Sequence, residues 1–272
     1  MRNLAFRDMR LPRLGAMRSG GAVPFSIADL FASSEQGAWY DPSDLSTLFQ
    51  DSAGTTPVTA SGQPVGKMLD RSGNGNHATQ AIAAARPIYT EGSGLAWLAF
   101  DGVGDFMSVA DVSGMRQSIM TFFIGVDPLS LLGREDWFAS GDSRSYSTNN
   151  YVVGNSLSAF QTLGRTPATT VTQGSMTANT KVIVSERSDG TNINSRINGV
   201  AQTTAALTLG TNDTSGFTLG ASNSGVRVTE LAQMNMHSQM NMYGLIVRGS
   251  TSSAAEIAAT EAYLAAKSGV TL

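Results

Sequence analysis

Two stretches of sequence decide the fold: residues 70–79, DRSGNGNHAT, and residues 98–107, LAFDGVGDFM. The second stretch joins two apolar runs through the turn-forming pair Asp101-Gly102. Similar turn pairs separate the short apolar runs that follow. The predicted strands from residue 95 onward are 95–100, 105–110, 118–126, 136–140, 151–153, 157–163, 181–187, 193–197, 217–221 and 242–248. Many short strands with such punctuation predict an all-β sandwich or barrel.

The composition suits one large β domain. The 272 residues are 41% hydrophobic and 14% charged, and they include 29 glycines. This apolar fraction can fill a core, and sandwiches of this length often form a single domain. Cysteine is absent, which excludes disulfides, thiolate metal sites and a cysteine nucleophile. No run of 18 apolar residues occurs, so we expect no insertion into a membrane.

Helical signals are confined to two segments. Residues 26–36 predict a short helix capped by Ser26, with Asp29 at its third position. Residues 253–268 predict a longer helix that begins with a capping box of Ser253 and Glu256 and ends at Gly269.

The first 25 residues form a basic segment. They contain five arginines and one acid, a net charge of +4, whereas the whole chain carries −3. Apolar residues alternate with the arginines, which favours an extended arm that docks on an acidic neighbouring subunit; the alternative is a solvated terminus. No other basic face is apparent, so nucleic acid is not an expected partner. The segment lacks a continuous apolar stretch, and we expect no export by the usual secretory route. The predicted docking residues are Arg2, Phe6, Arg7, Arg10, Arg13 and Arg18.

Residues 70–79 resemble the D-x-S-G-N-G-N-H-A signature of concanavalin-like and laminin-G-like jelly rolls. Residues 98–107 resemble the L-x-F-D-G-x-D-D-Y-L hairpin of the same family, with Gly104 where a second aspartate is common. The resemblance extends over residues 37–271, where residues 242–271 match the last strand and helix. It implies an antiparallel jelly-roll domain at 37–272, preceded by a helical linker at 26–36 and an extended arm at 1–25.

A second resemblance covers a shorter part of the chain. Residues 37–51, GAWYDPSDLSTLFQD, resemble the opening of phage and prophage proteins that are taken to be tail or virion-surface components. This resemblance implies a tail, baseplate or fibre component of a bacteriophage virion, made in the host cytoplasm. The expected partners are other virion proteins and copies of the same chain, for example in a trimer, and host-surface glycan is a further candidate. The alternatives are a capsid decoration protein and a secreted carbohydrate-binding or glycan-cleaving domain.

Catalysis is not expected. Glycanases that share this fold resemble one another in an E-x-D-x-E strand motif, since hydrolysis needs two carboxyl groups close together. None of the seven glutamates here lies two residues from another acid in a strand-like run, and the neighbours Glu135 and Asp136 would face opposite sides of a strand. His77 belongs to the family signature, and His237 lies in the methionine-rich stretch 234–242, which predicts a strand packed in the core or at a subunit interface.

Two binding hypotheses remain. The family resemblance implies that Asp101 and Asp105 are candidate calcium ligands; the alternative is that Asp101-Gly102 only makes a hairpin turn. Calcium is therefore the one candidate cofactor. Glycan binding needs aromatic platforms beside amides, a composition found between residues 137 and 151, although Trp137 could instead fill the core. The candidate glycan-binding residues are Trp137, Tyr146, Asn149, Asn150 and Tyr151.

Overall fold

The computed structural model describes residues 25–110, 112–116, 118–140, 151–165, 168–207, 213–214, 216–223 and 234–272. These residues form two antiparallel β-sheets stacked as a sandwich, with one α-helix near the C-terminus. The predicted all-β, jelly-roll class is confirmed. The basic arm residues Arg2, Phe6, Arg7, Arg10, Arg13 and Arg18 lie outside the described residues.

The strands, in chain order, are β1 (Gly37–Tyr40), β2 (Leu48–Phe49), β3 (Lys67–Met68), β4 (Ala78–Thr79), β5 (Ile88–Gly92), β6 (Leu95–Asp101), β7 (Met107–Val109), β8 (Val112–Arg116), β9 (Ile119–Pro128), β10 (Arg134–Ser140), β11 (Tyr151–Ser156), β12 (Ala159–Arg165), β13 (Ala168–Ser175), β14 (Val182–Asp189), β15 (Asn192–Ile197), β16 (Val200–Ala201), β17 (Ala205–Ala206), β18 (Asp213–Thr214), β19 (Phe217–Leu219), β20 (Ala221–Asn223), β21 (Met234–His237) and β22 (Gln239–Arg248). Helix α1 spans Ala254–Ser268, and short 3-10 helices span Ile27–Phe31, Leu45–Thr47 and Ala83–Ala85. No helix in the described part of the chain is long and apolar enough to cross a membrane.

Two large sheets, which we call sheet A and sheet B, make up the sandwich. Sheet A has the order β16-β15-β14-β9-β22-β6-β5, with β1 beside β22 and β17 beside β15. Sheet B has the order β13-β12-β11-β10-β19-β7-β4-β3-β2. The pairs β18-β8 and β20-β21 form two small additional sheets.

The apolar residues form two layers on either side of sheet A. The inner layer lies between the sheets and includes Phe122 of β9, which packs against Phe138 of β10 with ring centroids 5.0 Å apart. The outer layer lies between sheet A and α1, where Phe123 of β9 and Leu264 of α1 belong to one buried cluster. Strand β9 is therefore apolar on both faces because both faces are covered, which explains why its sequence does not alternate.

The glycine- and asparagine-rich signature at 70–79 closes the N-terminal edge of the sandwich. One oxygen of Asp70 accepts hydrogen bonds from the backbone N–H groups of Trp39 (2.9 Å) and Ser72 (2.8 Å). The side-chain amides of Asn74 and Asn76 both donate to the carbonyl of Gly37, at 3.1 and 2.7 Å. The signature residues thus hold β1 against the loop that follows β3, which is a structural role.

Helix α1 is fixed to the same region through a buried carboxylate. Asp41 accepts a hydrogen bond from the Tyr263 hydroxyl (2.7 Å) and ion pairs with Lys267 (2.9 Å) and Arg71 (2.8 Å). Burial alone would raise the pKa of Asp41, but the bonds donated by Ser43, Tyr263 and Lys267 outweigh it and lower the pKa. The two ends of the domain are therefore joined by charge-assisted contacts.

The caps of both predicted helices are confirmed, whereas two predicted elements differ from the structure. Ser26 with Asp29 and Ser253 with Glu256 form capping boxes. The first helix is shorter than residues 26–36, and its Ile27, Leu30 and Phe31 pack in the outer apolar layer. The methionine-rich stretch forms two strands, β21 and β22, separated at Ser238, and its Met240 and Met242 lie in the inner core.

Candidate functional site

The structure corrects the glycan-binding prediction for two aromatic residues. Trp137 is fully buried and stacks on Phe160, with ring centroids 6.0 Å apart. Tyr151 is 1% exposed, and its hydroxyl donates to Glu186 inside the sandwich. Neither ring can stack on a sugar because both fill the core, as the alternative for Trp137 anticipated. The other candidates, Tyr146, Asn149 and Asn150, lie outside the described residues.

The turn between β6 and β7 uses its carboxylates to bind backbone. Asp101 Oδ1 accepts the N–H groups of Val103, Gly104 and Asp105 at 2.8 to 3.1 Å, and Asp105 Oδ2 accepts the N–H of Asp101 at 3.1 Å. Burial and the neighbouring charge of Asp101 raise the pKa of Asp105 to about 7.

A calcium ion takes six to eight oxygen ligands, and two carboxylate oxygens of this turn already accept backbone N–H groups. Asp101 Oδ1 is already bound by three N–H groups, and no cluster of three or more acidic or histidine side chains able to hold a metal occurs within the described ranges. Calcium binding by Asp101 and Asp105 stays a prediction that rests on the sequence.

A buried glutamate lies between the sheets and is sealed from solvent. Glu186 of β14 accepts hydrogen bonds from the hydroxyls of Tyr151, Thr162 and Ser195, the last at 2.6 Å. Burial raises its pKa, although the three hydroxyl bonds lower it in part. Since Glu186 is only 1% exposed, its carboxyl group supports the core and cannot reach a substrate on the surface.

The neighbouring acids at the start of β10, Glu135 and Asp136, are also engaged within the fold. Asp136 binds the guanidinium of Arg134 through both carboxylate oxygens, each at 2.8 Å, and accepts a hydrogen bond from the Ser222 hydroxyl. Glu135 is buried, which raises its pKa. The two side chains do not face one opening in the manner of a glycanase acid pair.

A pocket lies on the outer face of sheet A, beside α1. Strand β14 alternates in direction: Glu186 contacts sheet B, whereas the Ser185 hydroxyl donates to Glu261 of α1 (2.6 Å), so Ser185 and Arg187 face outward. Their register partners on β15, Arg196 and Asn194, lie on the same face. Helix α1 covers only part of this face, and its Ile257 forms one wall of the pocket.

We call this feature the β14–β15 pocket. It has a volume of about 160 Å³, and Gln202 and Thr204 complete its polar rim beyond β15. The Asn194 side-chain oxygen accepts a hydrogen bond from the Thr204 hydroxyl (2.9 Å), and Gln202 Nε2 donates to the Val200 carbonyl (2.9 Å). These bonds leave the Asn194 amide hydrogens and the lone pairs of the Thr204 hydroxyl oxygen available to a ligand, whereas the Gln202 amide oxygen lies against Gly174 of β13.

The two arginines of the pocket differ in their partners. Arg196 forms an ion pair with Glu261 at 2.8 Å, where the Glu261 side chain is 2% exposed. The guanidinium of Arg187 has no ion pair or hydrogen bond to any residue that the structure describes. The pocket therefore presents one uncompensated positive charge beside amide and hydroxyl groups.

Sequence reasoning did not identify this pocket. Arg187 and Arg196 lie in the predicted strands 181–187 and 193–197 and were given no functional role, and Gln202 and Thr204 lie outside every predicted strand. The alternation along 182–187 was the available signal, because it places an arginine on the outward face next to a position that α1 covers.

Comparisons with known proteins extend the fold assignment. No family model matches the sequence, and no curated protein matches it. A Trypanosoma rangeli sialidase in complex with 2,3-difluorosialic acid is similar in structure, with a TM-score of 0.55 and 15% identity over 86% of this chain and 33% of the sialidase. The receptor-binding domain of botulinum neurotoxin type G gives a TM-score of 0.52 and 11% identity over 72% of this chain and 48% of that domain. The chain spans less than half of either protein, and the likeness is one of fold, a β-sandwich.

Proposed function

We propose that this chain is a carbohydrate-binding domain that holds glycan in the β14–β15 pocket without cleaving it. The observation that carries the proposal is the polar lining of an open pocket on the sandwich surface. Asn194 supplies amide hydrogens and Thr204 a hydroxyl oxygen that can accept, which match sugar hydroxyls because each hydroxyl both donates and accepts.

The similar structures support glycan as the ligand class. The sialidase structure contains a derivative of sialic acid as a covalent intermediate. The neurotoxin structure is that of a receptor-binding domain. A sandwich of this fold therefore occurs in proteins that act on a sugar or bind a receptor, although a fold alone does not determine a function.

The experiment is a glycan array probed with the full chain and with two pocket variants. We expect the chain to bind a subset of glycans, and we expect Asn194→Ala and Thr204→Ala to weaken binding to that subset about tenfold each, the size of one lost hydrogen bond. Gln161→Ala is the matched control, since this amide lies on β12 of sheet B and donates to Thr172 rather than to the pocket. Absence of binding to every glycan, or equal binding by all variants, would refute the proposal.

The proposal that the domain does not cleave its ligand rests on the positions of its acids. The described carboxylates that lie close together bind backbone or arginine, as in the turn at Asp101 and the pair of Arg134 with Asp136. Incubation of the chain with each bound glycan, followed by mass spectrometry, should return the glycan intact. Release of a shorter saccharide would show that the domain is an enzyme.

We propose a phage virion as the setting in which the domain works, with other virion proteins and copies of the chain as partners. The support is in the sequence: residues 37–51 resemble phage tail proteins, and residues 1–25 form a basic arm with alternating apolar residues. Deletion of residues 1–25 should abolish incorporation into particles while the isolated chain still binds glycan. Unchanged incorporation would refute the docking role of the arm, and labelled chain on the head of an imaged particle would favour capsid decoration over a tail component.

A further inference from the structure

We infer that the β14–β15 pocket selects acidic glycans, and that Arg187 binds the carboxylate of a terminal acidic sugar. This inference rests on the proposed function and adds the chemical class of the ligand. It depends on the difference between two arginines that line the same pocket.

Arg196 already forms hydrogen bonds and an ion pair with other residues of the fold. Its Nε lies 2.8 Å from Glu261 Oε1, and the same carboxylate oxygen accepts the Ser185 hydroxyl at 2.6 Å. Its Nη2 bonds to the Gly199 carbonyl and to Glu261 Oε2. The charge of Arg196 is therefore compensated by a nearly buried carboxylate, and this residue holds α1 on sheet A.

Arg187 lies on the same face, and its guanidinium has no hydrogen bond or ion pair within the part of the chain that the structure describes. It is opposite Thr121 on β9 and Asn194 on β15 in the sheet register. The Thr121 hydroxyl donates to the Ser250 carbonyl (2.9 Å) and accepts from the Ser252 N–H (2.8 Å), so its hydrogen bonds are made to residues other than Arg187. A half-buried guanidinium that lies next to a pocket, with no partner among the described residues, is suited to a ligand anion.

The chemistry of the remaining groups favours a sugar carboxylate over a free anion. A guanidinium binds a carboxylate through two parallel hydrogen bonds, and the Asn194 amide hydrogens and Thr204 hydroxyl oxygen lie on the same face for ring hydroxyls. The volume of about 160 Å³ is below the roughly 300–1,000 Å³ of pockets for drug-sized ligands. The pocket therefore suits one terminal sugar residue.

The test compares matched acidic and neutral ligands by isothermal titration calorimetry. The probes are 3′-sialyllactose against lactose, and a glucuronate-terminated against a glucose-terminated disaccharide. We expect at least one acidic ligand to bind about tenfold or more tightly than its neutral counterpart, because a charge-assisted hydrogen bond contributes that much or more. Arg187→Gln should remove the preference, and Arg187→Lys should restore part of it.

Arg86→Gln is the matched control for loss of one positive charge. Arg86 lies before β5, at the opposite edge of sheet A, and donates only to the carbonyls of Gln80 and Ala81. A thermal melt of each variant checks that it is folded. If neutral and acidic ligands bind equally, or if Arg187→Gln keeps the preference, the inference fails and the proposed function stands. If no glycan binds, both the inference and the proposed function fail. If inorganic phosphate or acetate binds as tightly as the acidic sugars, the pocket is a general anion site and the inference fails.

Discussion

Replacement of Asp70 by alanine tests whether the signature at 70–79 holds the fold together. The change removes the acceptor of the buried Trp39 N–H and of three partly buried donors, the N–H and hydroxyl of Ser72 and the N–H of Asn76. A buried donor without a partner costs about 1–3 kcal/mol, and each more exposed bond contributes about 0.5–1.5 kcal/mol. We therefore expect a loss of about 4 kcal/mol in the free energy of unfolding, measured by urea denaturation at pH 7. In a domain of this size that loss lowers Tm by roughly 8–16 °C.

Asp51→Ala is the control for this measurement. Asp51 also accepts several backbone N–H groups, those of Gly54, Thr55 and Thr56, but it lies on an exposed loop where water replaces the lost bonds. We expect this variant to be much less destabilised than Asp70→Ala. Equal stabilities of the two variants would refute the argument that the signature closes the edge of the sandwich.

Three further changes test other parts of the fold. The pKa of Asp105 is raised to about 7 from an ordinary 3.8, so between these values the folded state holds a proton that the unfolded state has released. This contribution to stability is present at low pH and is lost as the pH rises to about 7. Asp105→Asn should therefore reduce the pH dependence of the urea midpoint between pH 5 and pH 8, and an unchanged pH dependence would contradict the raised pKa. Glu186→Ala leaves three buried hydroxyls without their acceptor and should lower the free energy of unfolding, measured by urea denaturation, by about 3 kcal/mol. Glu186→Gln should lower it by less. Equal losses in the two variants would show that the hydroxyl bonds do not stabilise the fold. Gly37→Ala would place Cβ 2.1 Å from the carbonyl oxygen of Val247 in β22 and should lower Tm strongly. Gly133→Ala is the control, because no atom lies within 4 Å of the added Cβ, and it should leave Tm nearly unchanged. Similar Tm values for the two variants would refute the close approach of the backbone at Gly37.

The sequence was informative about elements whose signals are local. The run at 118–126 predicted the central strand, which the structure extends to Ile119–Pro128, and the capping box at Ser253 and Glu256 predicted the start of α1. Strand β13, Ala168–Ser175, was not predicted because its threonines and glutamine have no apolar alternation. An edge strand needs only one neighbour, and its residues are less constrained by the core.

The site could not be predicted in the same way. Trp137 and Tyr151 have the composition of a sugar platform, but their burial depends on packing across the two sheets, which composition does not report. The β14–β15 pocket combines Arg187 with Gln202 and with Ile257 of α1, which are distant in sequence. What distinguishes Arg187 from Arg196 is the position of Glu261, a feature of the tertiary structure alone.

A crystal structure of the chain with the glycan that binds most tightly on the array tests the central claim most directly. We predict the sugar in the β14–β15 pocket, with its acidic group on Arg187 and its hydroxyls on Asn194 and Thr204. Density for the sugar at any other surface, with this pocket holding only water, would contradict the account.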